Sequence, residues 1–273
     1  MDLIIAALKE DGYDQDITTL NLIDKNIMLG GNFVAKATGV VSGVDIAEAV
    51  FNYINPKIEF RIHRDNGSYV NRGDSIASVI GPMRDILRGE RIALNFMQRM
   101  SGIASTTNKF VQEMAGTKCL ILDTRKTTPL LRTLERQAVR DGGGTNHRFN
   151  LTDRVLIKDN HIAAVGTITE AVSKVKKAIK PEILIEVEVE TKEEFLEALD
   201  TECDIIMLDN MKNELMKELV LLNNHKKKLE ASGNMILTRV RSVALLGVDY
   251  ISVGALTHSY KSLDISLKFY KGI

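Results

Sequence analysis

The chain has 273 residues, with 36 Lys and Arg balanced by 36 Asp and Glu, and 44% of its residues are hydrophobic. That length and apolar content suit one large or two modest domains, and balanced charge without tryptophan argues against a nucleic-acid binder. No run approaches the roughly 18–20 apolar residues that span a bilayer, so no membrane partner is expected.

The first residues, MDLIIAALKEDGYDQD, lack a basic n-region and read as an amphipathic helix rather than a signal peptide. An acidic connector follows to residue 29. From 30 to about 84, short alternating runs are broken by turns at Asn66-Gly67 and Arg72-Gly73-Asp74, around a helical pattern at 45–54. Strands around a helix predict a small α/β sandwich. Its stretch GSYVNRGDSIASVIG is similar to half of a biotinyl or lipoyl carrier module, but no lysine stands at the matching turn. Residues 85–115 read as helix, with a break expected at Ser101-Gly102 and a domain boundary beside it, giving domains 1–103 and 104–273. Arg91, Asn95 and Arg99 share one helix face. Spacing alone makes Arg91 a solvated charge.

Beyond 118 the patterns alternate. Strands are expected at 118–122, 155–158, 183–189, 204–208, 227–231 and 249–253. Helices are expected at 129–141, 167–180, 191–200, 212–224 and 238–246. Repeated βα units imply a parallel sheet, closing into an incomplete TIM-type barrel or lying as a doubly wound open sheet. In either case a ligand binds beyond the carboxyl ends of the strands. Asp123, Lys158, Glu188, Asp209, Ser232-Gly233 and Gly254 fall there.

The segment 123–161 holds six arginines, two lysines and two histidines against five acids. Such a local excess in a neutral chain points to a small anionic ligand. The strand KCLILD carries TRKTT at its end. Thr128 and Pro129 read as the cap and first residue of a helix that buries Leu130, Leu134 and Ala138. Three glycines, 142–144, end that helix and open a loop bearing Asn146-His147-Arg148. Arg125, Lys126, His147, Arg148 and Lys158 are thereby aimed at one pocket.

In ILIEVEVE (183–190), Glu186, Glu188 and Glu190 share a face, which is costly inside a parallel sheet unless cations or a metal pair with them. An edge strand with one wet face is the plainer alternative. Ser232-Gly233-Asn234 and Val253-Gly254-Ala255 are glycine turns after strands, where backbone N–H groups make an anion site. His258 and Ser259 lie just beyond. Taken singly, each turn is more often only a tight turn, and neither has the Walker A or GxGxxG pattern. Cys119 and Cys203 form no metal motif and read as buried thiols suited to a reducing cytoplasm.

DTRKTTP, GGG-x-NHR and LIKDNHI occur in order with GERIALNFMQRMSGIAS (89–105), EVEVET (186–191), IMLDNM (206–211), EASGN (230–234) and ISVGALTHS (251–259). Over nearly the whole chain this resembles the quinolinate phosphoribosyltransferase family. The resemblance implies an incomplete TIM-like α/β barrel preceded by a smaller α/β sandwich domain. It implies transfer of phosphoribosyl from phosphoribosyl pyrophosphate to quinolinate with loss of carbon dioxide, a step of de novo NAD biosynthesis. By the same resemblance, Arg91, Thr124, Arg125, Lys126, His147, Arg148 and Lys158 hold the anionic substrates. Lys158, Glu188 and Asp209 carry the catalysis, and the last two serve Mg²⁺ directly or through water or substrate. The turns 232–234 and 253–255 take the 5′-phosphate. Arg91 acts in the neighbouring subunit's site, which implies a homodimer.

Three positions depart from the family's usual glycine. Leu130 reads as tolerable because it opens a helix. Asn150 and Asn234 read as residues that accept the left-handed conformation. Rival readings are a molybdenum-transport-associated family, which shares TRK, GGG and HR without the KDNHI ending, a Schiff-base aldolase using Lys158, and a non-catalytic anion-binding protein.

Overall fold

The structure is a computed structural model and describes residues 1–270. The chain begins with α1 (Asp2–Glu10), a 3-10 turn and α2 (Thr19–Leu22). Then come β1 (Met28–Ala35), β2 (Gly39–Val40), α3 (Val44–Ile54), β3 (Glu59–Ile62), β4 (Tyr69–Val70) and β5 (Ser75–Pro82). A long helix, α4 (Met83–Glu113), precedes β6 (Leu120–Leu122), α5 (Arg132–Asp141), β7 (Val155–Ile157), α6 (Asp159–Val165) and α7 (Ile168–Ala178). Next are β8 (Ile185–Val189), α8 (Lys192–Leu199), β9 (Ile205–Asp209), α9 (Asn213–Asn223) and β10 (Lys228–Ser232). The chain closes with α10 (Leu237–Ala244), β11 (Tyr250–Ser252), α11 (Ala255–His258) and β12 (Ile265–Tyr270). Two compact units result. Residues 1–108, 128–143 and the segment from Ser259 make the first; 109–127 and 144–258 make the second.

In the first unit an antiparallel sheet runs in the order β12-β1-β5-β3. Alternation along β1 sends Phe33 and Ala35 inward, where Phe33 meets Phe51 of α3 and Phe60 of β3 with ring centroids 6.0 and 5.8 Å away. Helix α3 buries Ala47, Val50 and Phe51, a spacing that gives one apolar stripe. Strand β12, absent from the sequence reading, pairs with β1 so that Phe33 faces Leu267. Residues 271–273 lie outside the described residues.

Helix α4 departs from expectation by running unbroken through Ser101-Gly102. The small pair serves packing instead of breaking the helix. Ser101 Oγ accepts the Ser42 N–H at 2.9 Å and donates to the Ser42 carbonyl. A Cβ on Gly102 would stand 2.5 Å from the Lys261 carbonyl oxygen. Helix α5 also begins later than expected, at Arg132 rather than Pro129. Leu130 lies before the helix at φ 67° and is 90% exposed, so it buries nothing. The Thr128 N–H is taken by Glu135 Oε2 at 3.1 Å, which holds this turn away from helical geometry.

The second unit is a six-stranded parallel sheet ordered β6-β11-β10-β9-β8-β7. It is a barrel left unclosed: β6 and β7 are its two ends, and Leu122 forms only an isolated parallel bridge to Thr145. A helix follows each of β7, β8, β9 and β10 within a few residues, and side-chain caps fix the starts of α7 and α8. Thr167 accepts the Glu170 N–H, and Thr191 with Glu194 forms a reciprocal capping box. One side of each strand packs apolar residues, such as Ile185, Val187 and Val189 of β8, all of them buried. The other side turns inward and carries the polar groups.

Candidate active site

At the carboxyl ends of the second unit's strands a cavity of about 400 Å³ is lined by Thr124, Arg125, Lys126, His147, Arg148 and Lys158, with Glu188, Asp209, Ser232, Gly233 and Asn234. Expected residues from four strand ends and two loops thus share one pocket. Leu156, Met207, Asn210, Glu230 and Ser252 complete it, residues to which the sequence motifs assign no role. Period-2 alternation was their available signal: Leu156, Met207 and Glu230 each precede an expected strand-end residue by two. Arg91 is exposed on α4 of the first unit. Val253 is buried after β11, and Gly254 sits close under Lys126, where a Cβ would stand 3.0 Å from the lysine Cδ. Ala255 begins the four-residue helix α11.

Each pocket group is held by its own element. Asp123 at the end of β6 is buried and accepts the His147 N–H at 2.7 Å and the Asn146 side-chain amide at 2.6 Å. The Lys126 N–H turns back on Thr124 Oγ1, and its carbonyl accepts the Thr257 hydroxyl. Arg148 is buried, and its guanidinium donates to the Arg154 carbonyl at 3.3 Å. Burial, then the nearby Arg125, makes Arg148 a weaker proton holder than an ordinary arginine. That is the electrostatic state of a pocket built for anions.

Lys158 opens α6, its N–H donating to His161 Nδ1 at 3.0 Å, while its ammonium bonds Glu188 Oε2. Asp209 accepts from the Asn210 side chain at 2.7 Å. Glu188 stands opposite Met207 on the next strand, so Asp209 lies two residues further towards the mouth. Two hard carboxylates on neighbouring strand ends fit Mg²⁺, which is commonly held by one or two carboxylates, waters and substrate phosphates. The turn after β10 has Gly233 at φ 83° and Asn234 at φ 49°. Asn234 therefore does adopt the left-handed form expected of it. Asn150 is not among the positive-φ residues; its side chain instead accepts the Thr152 N–H at 2.8 Å.

Below the mouth, Glu186 and Glu230 are fully buried beside His147, whose Nε2 lies 3.0 Å from Glu186 and 3.4 Å from Glu230. Burial and then the Glu186 charge push the Glu230 carboxyl up to about 7. Burial also opposes ionisation of Glu186, but the His147 contact and Arg154 outweigh it and hold that carboxyl low. Burial works against an imidazolium at His147 and the two carboxylates favour one, but the Arg148 N–H donating to Nδ1 leaves no place for a second ring hydrogen. The three groups therefore titrate together rather than singly. Glu190, expected on the same face, ends exposed.

A model of the quinolinate phosphoribosyl transferase C-terminal domain matches residues 103–268, and one of its N-terminal domain matches 16–101. The chain is 42% identical to a probable nicotinate-nucleotide pyrophosphorylase (carboxylating) of Bacillus subtilis, over 93% of this chain and 89% of that one. It is 43% identical to the chloroplastic nicotinate-nucleotide pyrophosphorylase (carboxylating) of Arabidopsis thaliana, over 97% and 81%. The crystal structure of NadC from Streptococcus pyogenes superposes with a TM-score of 0.95 at 39% identity, covering 99% of this chain and 96% of that one. Both domain models, in order and together spanning nearly the whole sequence, show that the chain belongs to the quinolinate phosphoribosyl transferase family.

Proposed function

We propose that this chain transfers the phosphoribosyl group of phosphoribosyl pyrophosphate to quinolinate and releases pyrophosphate, carbon dioxide and nicotinate mononucleotide. The observation that carries this reading is the meeting of Arg125, Lys126, Arg148 and Lys158 with Glu188 and Asp209 around one cavity. Quinolinate bears two adjacent carboxylates, and arginine forks match carboxylates with paired hydrogen bonds. The Ser232-Gly233-Asn234 turn receives the 5′-phosphate, and the glycine-turn pair at 253–255 supports it.

The pyridine nitrogen attacks the anomeric carbon, and the bond to pyrophosphate breaks with both electrons leaving on oxygen. The carboxylate beside the nitrogen then departs as carbon dioxide, and its electron pair takes a proton at that ring carbon. Alignment and fixed charge suffice for these steps; no protein nucleophile is required. Glu188 and Asp209 would hold Mg²⁺, directly or through water. When bound, the ion offsets negative charge on the departing pyrophosphate. Catalysis rests on Lys158, Glu188 and Asp209, with Thr124 and His147 shaping the floor and rim. Arg91 completes the site of a second subunit in a homodimer. Two buried free cysteines, Cys119 with its thiol pushed up to about 12 by burial, suit a reducing cytoplasm. No helix among the described residues is long and apolar enough to cross a membrane.

The test is release of labelled carbon dioxide from quinolinate, with nicotinate mononucleotide formed in equal amount. Release should require phosphoribosyl pyrophosphate and Mg²⁺. Nicotinate should react far less well, because its missing carboxylate leaves a buried cation unpaired at a cost of about 1–3 kcal/mol. Equal use of both acids would sink the proposal.

A further inference from the structure

The His147 ring is held on both sides. Nε2 faces the buried Glu186 and Glu230, while Nδ1 accepts the Arg148 backbone N–H at 2.7 Å. A histidine and two carboxylates this close resemble a cation site. The second contact argues otherwise. An Nδ1 whose lone pair is used by an N–H leaves the ring hydrogen on Nε2, and a protonated nitrogen cannot ligate a metal. The ring hydrogen on Nε2 therefore faces the two carboxylates, 3.0 and 3.4 Å away.

We propose that Glu186 and Glu230 are positioning residues, which through His147 fix the turn that presents Arg148 to the substrate pocket. This deepens the transferase reading and rests on it. The loop 145–154 crosses the open seam between β6 and β7, where the barrel lacks a strand to hold it. It is tied at points that replace that strand. Asp123 on β6 takes the His147 N–H, Glu186 on β8 and Glu230 on β10 flank the ring, and the ring takes the Arg148 N–H. Arg154, at the far end of the loop, lies 3.5 Å from Glu186 and accepts the Arg148 guanidinium at its carbonyl. Two fully buried carboxylates are a poor way to stabilise a barrel floor, since well-packed apolar residues commonly do as well or better. Their use here has a directional reason. An apolar floor cannot orient an imidazole, and a displaced Arg148 cannot meet a carboxylate with both arms.

Two measurements test the anchor. Nitrogen-15 NMR of the ligand-free enzyme near neutral pH should show His147 with a protonated Nε2 and a lone pair on Nδ1. Calorimetry should give E230Q, which keeps an oxygen acceptor, a quinolinate affinity close to wild type. E230M, which removes the acceptor at similar volume, should weaken quinolinate by about tenfold to a hundredfold. Its affinity for phosphoribosyl pyrophosphate and its melting temperature should stay near wild type. The proposal falls if Nδ1 carries the hydrogen, if stoichiometric divalent metal copurifies with His147 as a ligand, or if E230M binds quinolinate as wild type does. Wild-type protein that ignores quinolinate would instead overturn the transferase reading, and the NMR result would still decide the anchor.

Discussion

Leu130 shows how one residue can be read correctly for its chemistry and wrongly for its place. Treated as the start of a helix, leucine should help. The turn instead holds it at φ 67° with its side chain 90% in solvent, so it gains no burial to offset the left-handed backbone. An L-residue there costs about 1–2 kcal/mol, of which glycine recovers part after its own entropic penalty. Leu130→Gly should therefore stabilise the protein by about 0.5–1 kcal/mol, seen as a higher urea midpoint at an unchanged slope. In a helix interior the same change would destabilise by about 1 kcal/mol, so the sign of the shift separates the two accounts. Asn234 was legible because asparagine tolerates positive φ. Asn150 was not, since a side-chain turn and a left-handed backbone use the same residue type.

At the scale of elements, local pattern located most helices and strands and misjudged what ends or continues them. A Ser-Gly pair inside a helical run normally lowers confidence in the helix. Here α4 continues because Ser101 bonds Ser42 and Gly102 leaves room for the chain at Lys261-Ser262. Alanine at 102 would favour an isolated helix by up to about 1 kcal/mol. In this structure its methyl meets backbone, and overpacking of that kind costs about 1–3 kcal/mol. Thermal unfolding of Gly102→Ala should accordingly show a lower melting temperature; a rise would mean the close approach at residue 261 is not a constraint. Strand β12 went unread although ISLKFY alternates, because an edge strand is recognised by its partner, and β1 lies far away in sequence.

For the whole molecule, the proposed homodimer makes a quantitative prediction. Arg91→Ala and Asp209→Ala proteins should each lose activity by at least about a hundredfold. Mixed under conditions that exchange subunits, they should regain about a quarter of wild-type activity, because half the dimers are mixed and each has one intact site. Assay of the mixture against each parent decides it. Failure to recover would remove Arg91 from a shared site.

Alternation of strand and helix patterns, together with the rule that ligands bind beyond strand ends, was enough to derive the parallel sheet and most of the pocket's charged rim from sequence. Those residues are legible because a strand end is a local event: TRK follows one strand, Lys158 closes another, and Asp209 and Ser232 end two more. The floor is a different case. Glu230 is an ordinary inward position until β10, β8 and the 146–148 loop bring it against Glu186 and His147. Nothing local distinguishes a paired buried carboxylate from a solvated one. Its protonation, the tautomer of His147 and the setting of Arg148 follow from which strands become neighbours and where the barrel stays open. Those are properties of side chains meeting across the fold, for which periodicity carries no signal.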